Sequence, residues 1–331
     1  MINGYFMANE LDMQVIDLYS DFLPQKIFDA HVHMYRADVI PQFYDSDSVF
    51  CRRVCTPEDY MEDMGVFLPG VESLRMNMMP MPDPILTEEE NGLRKKANGH
   101  ILELLQNHEN HVGCAFVLHQ DNVESIAQIA LKQGIRGLKC YAFGGKKQNK
   151  DGQQIGEYLP EAAWEISAQL HIPIILHLMR PAGLSDPEDF RYITQMCHQY
   201  PEAKLVLAHC ARSFAAWTGI RKIRELEDQG NIWFDLSAIC ESGPMMACIL
   251  KNAGKRTVWG SDYPVCMYRG RAVSLATGQN WLTSMGDKTT RIVAENLLAL
   301  RQTADLLNLD QTQIQDIFYN NAVELFLPDK K

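Results

Sequence analysis

No stretch of the 331 residues is apolar for long enough to cross a bilayer, which sets membrane-embedded functions aside. The opening MINGYFMANELD has no basic segment followed by an apolar one, so no secretory leader is expected. Nucleic acid and anionic membrane are poor partners, because 31 Lys and Arg face 42 Asp and Glu and nowhere form a stripe. The nine cysteines are odd in number and include no C-x-x-C pair. Cys51 and Cys55 form a lone C-x3-C, a poor zinc motif, so the cysteines read as reduced, mostly buried thiols of a cytoplasmic protein. Internal repeats and low-complexity linkers are also missing, and one domain over residues 1–331 is expected.

What the chain does have is 46% apolar residues, ample for a large core, in a repeated alternation of strand-like and helix-like segments. Strands are expected at 26–33, 71–79, 111–119, 134–143, 172–178, 203–209, 231–237 and 256–262. Helix starts punctuate the intervals: Thr56-Pro57 and Asp186-Pro187 pair a cap with Pro at the first helical position, and Thr87–Glu90 reads as a capping box. Eight such strands predict an α/β fold, a (β/α)8 barrel. Residues 1–25 form an N-terminal extension, 34–70 an insertion after strand one that leans over the mouth as a lid, and 289–308 and 311–326 extra C-terminal helices. The aromatic residues of the insertion, Tyr35, Phe43, Tyr44, Phe50 and Tyr60, either line a pocket or form the insertion's own core.

Barrel chemistry sits where strands end at the C-terminal mouth. Strand one ends in His31 and His33, three in His119, five in His177, six in His209 and eight in Asp262, while strand four carries Lys139. His31, His33, His177 and Asp262 make a three-nitrogen, one-carboxylate set suited to zinc or a similar divalent ion that activates water. Arg36, Arg180 and Arg212 follow strand ends and are candidate clamps for a substrate carboxylate. His119 is assigned to packing or a loop hydrogen bond rather than to substrate, and the Met-rich 75–84 to strand-end core.

The segments DAHVH (29–33), GIRGLK (134–139), IILH (174–177), LVLAH (205–209) and WGSDYP (259–264) resemble the amidohydrolase superfamily. The resemblance narrows to the amidohydrolase-related branch of metal-dependent hydrolases and non-oxidative decarboxylases, whose closing helix IQDIFYNNAVELF (314–326) is similar to. It covers roughly residues 26 to 327. It implies that His31, His33, His177 and Asp262 hold one metal, that Asp262 also shuttles a proton, and that His209 acts beside the metal. In binuclear members a strand-four lysine is carboxylated and bridges two ions; Lys139 is the candidate for that role, for an amine that meets a substrate carboxylate, or for a lysine that snorkels at the barrel rim.

Two activities fit these residues. The first is hydrolysis of a carboxylic amide, ester or lactone of a small substrate; the alternative is non-oxidative decarboxylation of an aromatic or unsaturated acid. A non-catalytic metal-retaining barrel would need a broken acid–base pair, and both Asp262 and His209 are present. The expected partner is a small molecule, and homo-oligomerisation is expected only from the habits of the family.

Overall fold

A computed structural model describes residues 6–81, 83, 92–142, 153–227, 230–276, 278–282 and 286–328. Eight parallel strands run in chain order: β1 (Lys26–Met34), β2 (Ser73–Pro80), β3 (Val112–Phe116), β4 (Ile135–Cys140), β5 (Pro173–Leu176), β6 (Lys204–Leu207), β7 (Ile232–Asp235) and β8 (Thr257–Val258). Every expected strand is present. β8 is shorter than 256–262 because the chain turns away beyond it to meet β1. The Ala30 N–H donates to Trp259 O (3.0 Å), that of Asp262 to His31 O (2.9 Å), and that of His33 to Tyr263 O (2.8 Å). These bonds close the barrel.

Strand residues of opposite parity form two separate cores, as period-two alternation requires. Phe28, Ala30, Ile175, Val206, Trp233 and Val258 pack with Leu325 and Phe326 of the last helix. Ile27, Val32, Met34, Ile174, Leu205 and Phe234 belong to the larger core shared with the helices. On β1 the parity changes between Ala30 and Val32, where the pairing with β2 shifts register between Asp29 and Val32. This irregularity puts His31 and His33 on the same side as Phe28 and Ala30, toward the barrel interior.

Asp29 holds the irregularity. Its Oδ1 accepts the backbone N–H of His31 (3.1 Å) and of Ser261 (2.9 Å), and its Oδ2 accepts the Tyr60 hydroxyl (2.7 Å). Burial pushes the Asp29 carboxyl up to about 7 despite these donors. Tyr60 lies on the helix Pro57–Met64, which starts as expected: the Thr56 side chain accepts from the Asp59 N–H, and Pro57 follows it. The insertion is anchored further by Arg52, bonded to Asp59 (2.6 Å) and Asp63 (2.7 Å), while Asp63 accepts the Tyr263 hydroxyl (2.7 Å). Of its aromatic residues, Tyr35, Phe50 and Tyr60 are buried, with Tyr35 and Phe43 both packed on Phe50.

The helix following β2 spans Leu93–Asn107; the capping box expected at Thr87–Glu90 lies outside the described residues. The helix capped by Asp186 runs Pro187–Gln199. The C-terminal helices are Ile292–Leu307 and a segment from Gln311 to Phe326 interrupted by a π turn at Asp316–Asn320. A helix at Glu10–Asp17 in the N-terminal extension and an antiparallel hairpin of β9 (Arg271–Leu275) and β10 (Gly278–Leu282) have no counterpart in the sequence reading. Among the described residues no helix is long and apolar enough to cross a membrane, and all nine cysteines are free and buried.

Tyr60→Phe removes one donor from a buried carboxylate, and urea unfolding is expected to show a loss of about 1–3 kcal/mol. An unchanged midpoint and slope would show that Asp29 does not depend on Tyr60.

Candidate active site and metal centre

At the C-terminal mouth His31 Nε2 lies 3.2 Å from His33 Nε2 and 3.5 Å from Asp262 Oδ1, with 3.4 Å between His33 Nε2 and Asp262 Oδ1. Metal–ligand bonds of about 2.0–2.2 Å at tetrahedral angles hold donor atoms about 3.3–3.6 Å apart. The three separations therefore match the edges of a tetrahedral face, and the donor set fits a divalent ion. His209 joins this group: His31, His209 and Asp262 each present a ligand atom within 4.8 Å of the others.

Each of these imidazoles is oriented through its other nitrogen. His31 Nδ1 meets Asp235 Oδ2 at 2.5 Å, His33 Nδ1 meets Pro80 O at 3.0 Å, and His209 Nδ1 meets Ser237 O at 3.1 Å. Carbonyl and carboxylate oxygens accept, so Nδ1 carries the proton; Nε2 of His31 and of His33 turns its lone pair to the centre, while Nε2 of His209 also faces His177 (3.1 Å). Asp235 is absent from the sequence reading although it ends β7 as the other site residues end their strands. Burial, reinforced by Lys139, lowers the His31 imidazole, and burial brings His209 down to about 4; both are neutral near pH 7. For Asp262 burial opposes ionisation, but the facing His209, His33 and His31 imidazoles outweigh it and hold the carboxyl well below its usual range.

His177 is placed differently from the other ligand candidates. Its Nδ1 is 3.1 Å from His209 Nε2, and its Nε2 is 3.1 Å from Arg212 Nη1. A guanidinium only donates, so His177 Nε2 accepts and Nδ1–H donates to His209. His177 thus sits between His209 and Arg212, and as a ligand it would have to release Arg212. Lys139 is fully buried with Nζ 3.3 Å from His31 Nε2, and burial lowers its ammonium first of all.

The backbone here is strained. His209, Cys210, Ala211 and Arg212 have φ of 57°, 49°, 58° and 57°, one left-handed turn directly after β6, and Asp262 has φ of 62°. That conformation costs L-residues about 1–2 kcal/mol each and is kept where the surroundings over-determine it. Here it brings His209 and Arg212, three residues apart, to the same cavity.

That cavity, about 250 Å³, is lined by His33, Tyr141, His177, His209, Arg212 and Asp262, with apolar walls that include Met81, Phe214 and Trp281. Of the three candidate arginines the structure brings only Arg212 to it. Arg36 pairs with Asp38 (3.0 Å), and Arg180 with Asp186 (2.7 Å) and Glu188 (2.8 Å). His119 is also outside the lining. Among the described residues none from 34–70 lines the cavity; Gln279 and Trp281 of the β9–β10 hairpin do. The strand-end methionines are core at Met76, Met78 and Met79, while Met81 reaches the cavity.

A family model described as amidohydrolase matches residues 28–327, and the chain belongs to that family. Among solved structures it is similar to 5-carboxyvanillate decarboxylase of Novosphingobium aromaticivorans, in complex with manganese and 4-hydroxy-3-methoxy-5-nitrobenzoic acid. That match has 14% identity and TM-score 0.62, over 91% of this chain and 96% of that one. It is also similar to 2,6-dihydroxybenzoate decarboxylase from Rhizobium, with 13% identity and TM-score 0.63 over 93% and 100% of the two chains. A third is a putative 2-pyrone-4,6-dicarboxylic acid hydrolase of Pseudomonas putida, with 14% identity and TM-score 0.59 over 93% and 100%. At such identities these likenesses show the (β/α)8 fold. No curated protein matches the sequence. The chain is thus an enzyme of the amidohydrolase superfamily.

Asp235→Asn leaves His31 Nδ1 without its carboxylate and is expected to weaken divalent-metal affinity about 10–100-fold in chelator competition. Because burial lowers the imidazoles, metal binding is expected to persist as pH falls from 8 through 6 and to fail only at lower pH. A loss centred on about 6.5, the ordinary histidine value, would contradict the lowering of these imidazoles by burial.

Proposed function

We propose that the protein is a metal-dependent decarboxylase that releases carbon dioxide from a small, ring-bearing acid. The observation that carries this reading is one small cavity that joins a guanidinium and a metal-type donor set to walls containing Phe214 and Trp281. The two decarboxylase structures on the same fold support it. In this reading a single ion, zinc by the nature of the donors, is held by His31, His33 and Asp262, with His177 or His209 completing the set. Bound there, it would neutralise negative charge on a substrate oxygen and act as a Lewis acid.

The residues of the chain do the rest. Arg212 binds and orients the anion. Apolar walls shed water, and a carboxylate leaving as neutral carbon dioxide loses the charge those walls disfavour. The bond between ring carbon and carboxylate breaks, its electron pair stays on the ring, and that carbon takes a proton that solvent supplies and His209 Nε2 relays, with the ionised Asp262 stabilising the imidazolium as the proton passes. His209 is placed for this, with Nδ1 held at Ser237 O and Nε2 turned inward. Lys139 acts as an amine beside His31.

A second reading is hydrolysis of a lactone. Asp262, held ionised, is suited to take a proton from water, and the similar putative 2-pyrone-4,6-dicarboxylic acid hydrolase supports this reading.

A panel of hydroxylated and carboxylated benzoates, assayed for carbon dioxide, set against lactones assayed for proton release, separates the two. Decarboxylation predicts carbon dioxide in a 1:1 ratio to substrate consumed; acid release from lactones alone would overturn it. His209→Asn and Asp262→Asn are each expected to cut turnover by about 100-fold or more, and unchanged turnover would remove both from the mechanism. Arg212→Met is expected to raise KM for acids more than it lowers kcat.

A further inference from the structure

The hairpin places a polar side chain where its pattern calls for an apolar one. Along β10 burial alternates: Gly278, Asn280 and Leu282 are exposed, while Gln279 and Trp281 are half-buried and line the cavity. Residues two apart on a strand share a face, so both are aimed at the same space. Trp281 packs against Phe214 with ring centroids 5.0 Å apart, and Phe214 in turn stacks on His209 at 5.7 Å. The Oε1 of Gln279 is shielded from solvent with no hydrogen-bond partner. A shielded acceptor left unpaired is unfavourable unless a ligand satisfies it.

The hairpin is fixed rather than loosely laid over the mouth. Ser274 Oγ accepts the Ala216 N–H (2.8 Å) and lies 2.7 Å from Glu241 Oε2, while the Ser274 N–H donates to Glu241 Oε1 (2.9 Å). Arg271 donates to Cys240 O (2.8 Å) and pairs with Glu295 (3.1 Å). The hairpin is therefore tied through β9 to the segments that follow β6 and β7, and β10, paired with β9, is carried with it.

We propose that Gln279 is a specificity-determining residue that selects substrates bearing a hydroxyl group, recognised as a donor to Oε1, in addition to the anionic group at Arg212. The inference rests on the proposed acid-binding role of the cavity and adds the second group that the substrate must carry. A hydroxyl satisfies either end of a side-chain amide, since it both donates and accepts; a methyl ether cannot donate. A site built to bond a hydroxyl discriminates strongly against an analogue without that donor, because its own polar atom is then left unpaired.

The test is calorimetric binding of paired ligands to zinc-loaded protein: each monohydroxybenzoate and 2,6-dihydroxybenzoate against the corresponding methyl ethers. Wild type is expected to prefer at least one hydroxyl member by about tenfold or more. Gln279→Met, close in size and apolar, is expected to bring that ratio to within about twofold, and Gln279→Asn, whose amide is withdrawn by one methylene, to reduce it as well. Arg212→Met is expected to weaken both members of each pair alike. Melting curves of the Gln279 variants establish that they fold. If the acids bind and the preference survives in Gln279→Met, or no pair is discriminated in wild type, the role of Gln279 is overturned while the acid-binding reading stands. If no acid binds the loaded wild type, the acid-binding reading itself falls, and the role of Gln279 falls with it.

Discussion

The buried carboxylate of Asp29 fixes the register on which the rest of the site depends. It binds the N–H of His31 on one side of the barrel seam and the N–H of Ser261 on the other, next to Asp262. Without that junction β1 would continue its simple alternation, and His31 and His33 would face the helices with Ile27 instead of the interior with Phe28 and Ala30. One side chain thus joins the first and last strands, sets the parity of two histidines and positions the carboxylate that meets them. The insertion helix takes part through Tyr60, which ties the outer layer to the centre.

Around that junction the donor atoms are oriented by acceptors on their far sides. Asp235, Pro80 O and Ser237 O each take an Nδ1–H, so the Nε2 lone pairs of His31 and His33 converge while that of His209 faces His177. The left-handed turn at His209–Arg212 and the positive φ of Asp262 are the backbone cost of that convergence.

The fold was legible because eight apolar runs at regular spacing leave few architectures open, and each run became a strand. The site was legible in part because strand ends carry side chains into the mouth: His31, His33, His209 and Asp262 all meet there. Asp235 carried the same signal, an acidic residue ending a strand. The strand-one irregularity could not be read from period two, since it depends on Asp29 bonding residues distant in sequence. The engagement of His177 with Arg212, and the placement of Arg36 and Arg180 among carboxylates, are three-dimensional facts with no local pattern. Gln279 and Trp281 were hidden for another reason: the strand GQNWL is mostly polar and half-exposed, so no apolar run marks it as the barrel strands are marked.

The account stands or falls on the donor triad of His31, His33 and Asp262. Elemental analysis of protein purified without chelator or added metal, beside a His31→Ala/His33→Ala double variant, tests it most directly. The account predicts about one divalent ion per chain in the wild type and almost none in the variant. A wild type that holds no metal and takes up none on reconstitution, or a variant that keeps a full complement, would contradict it.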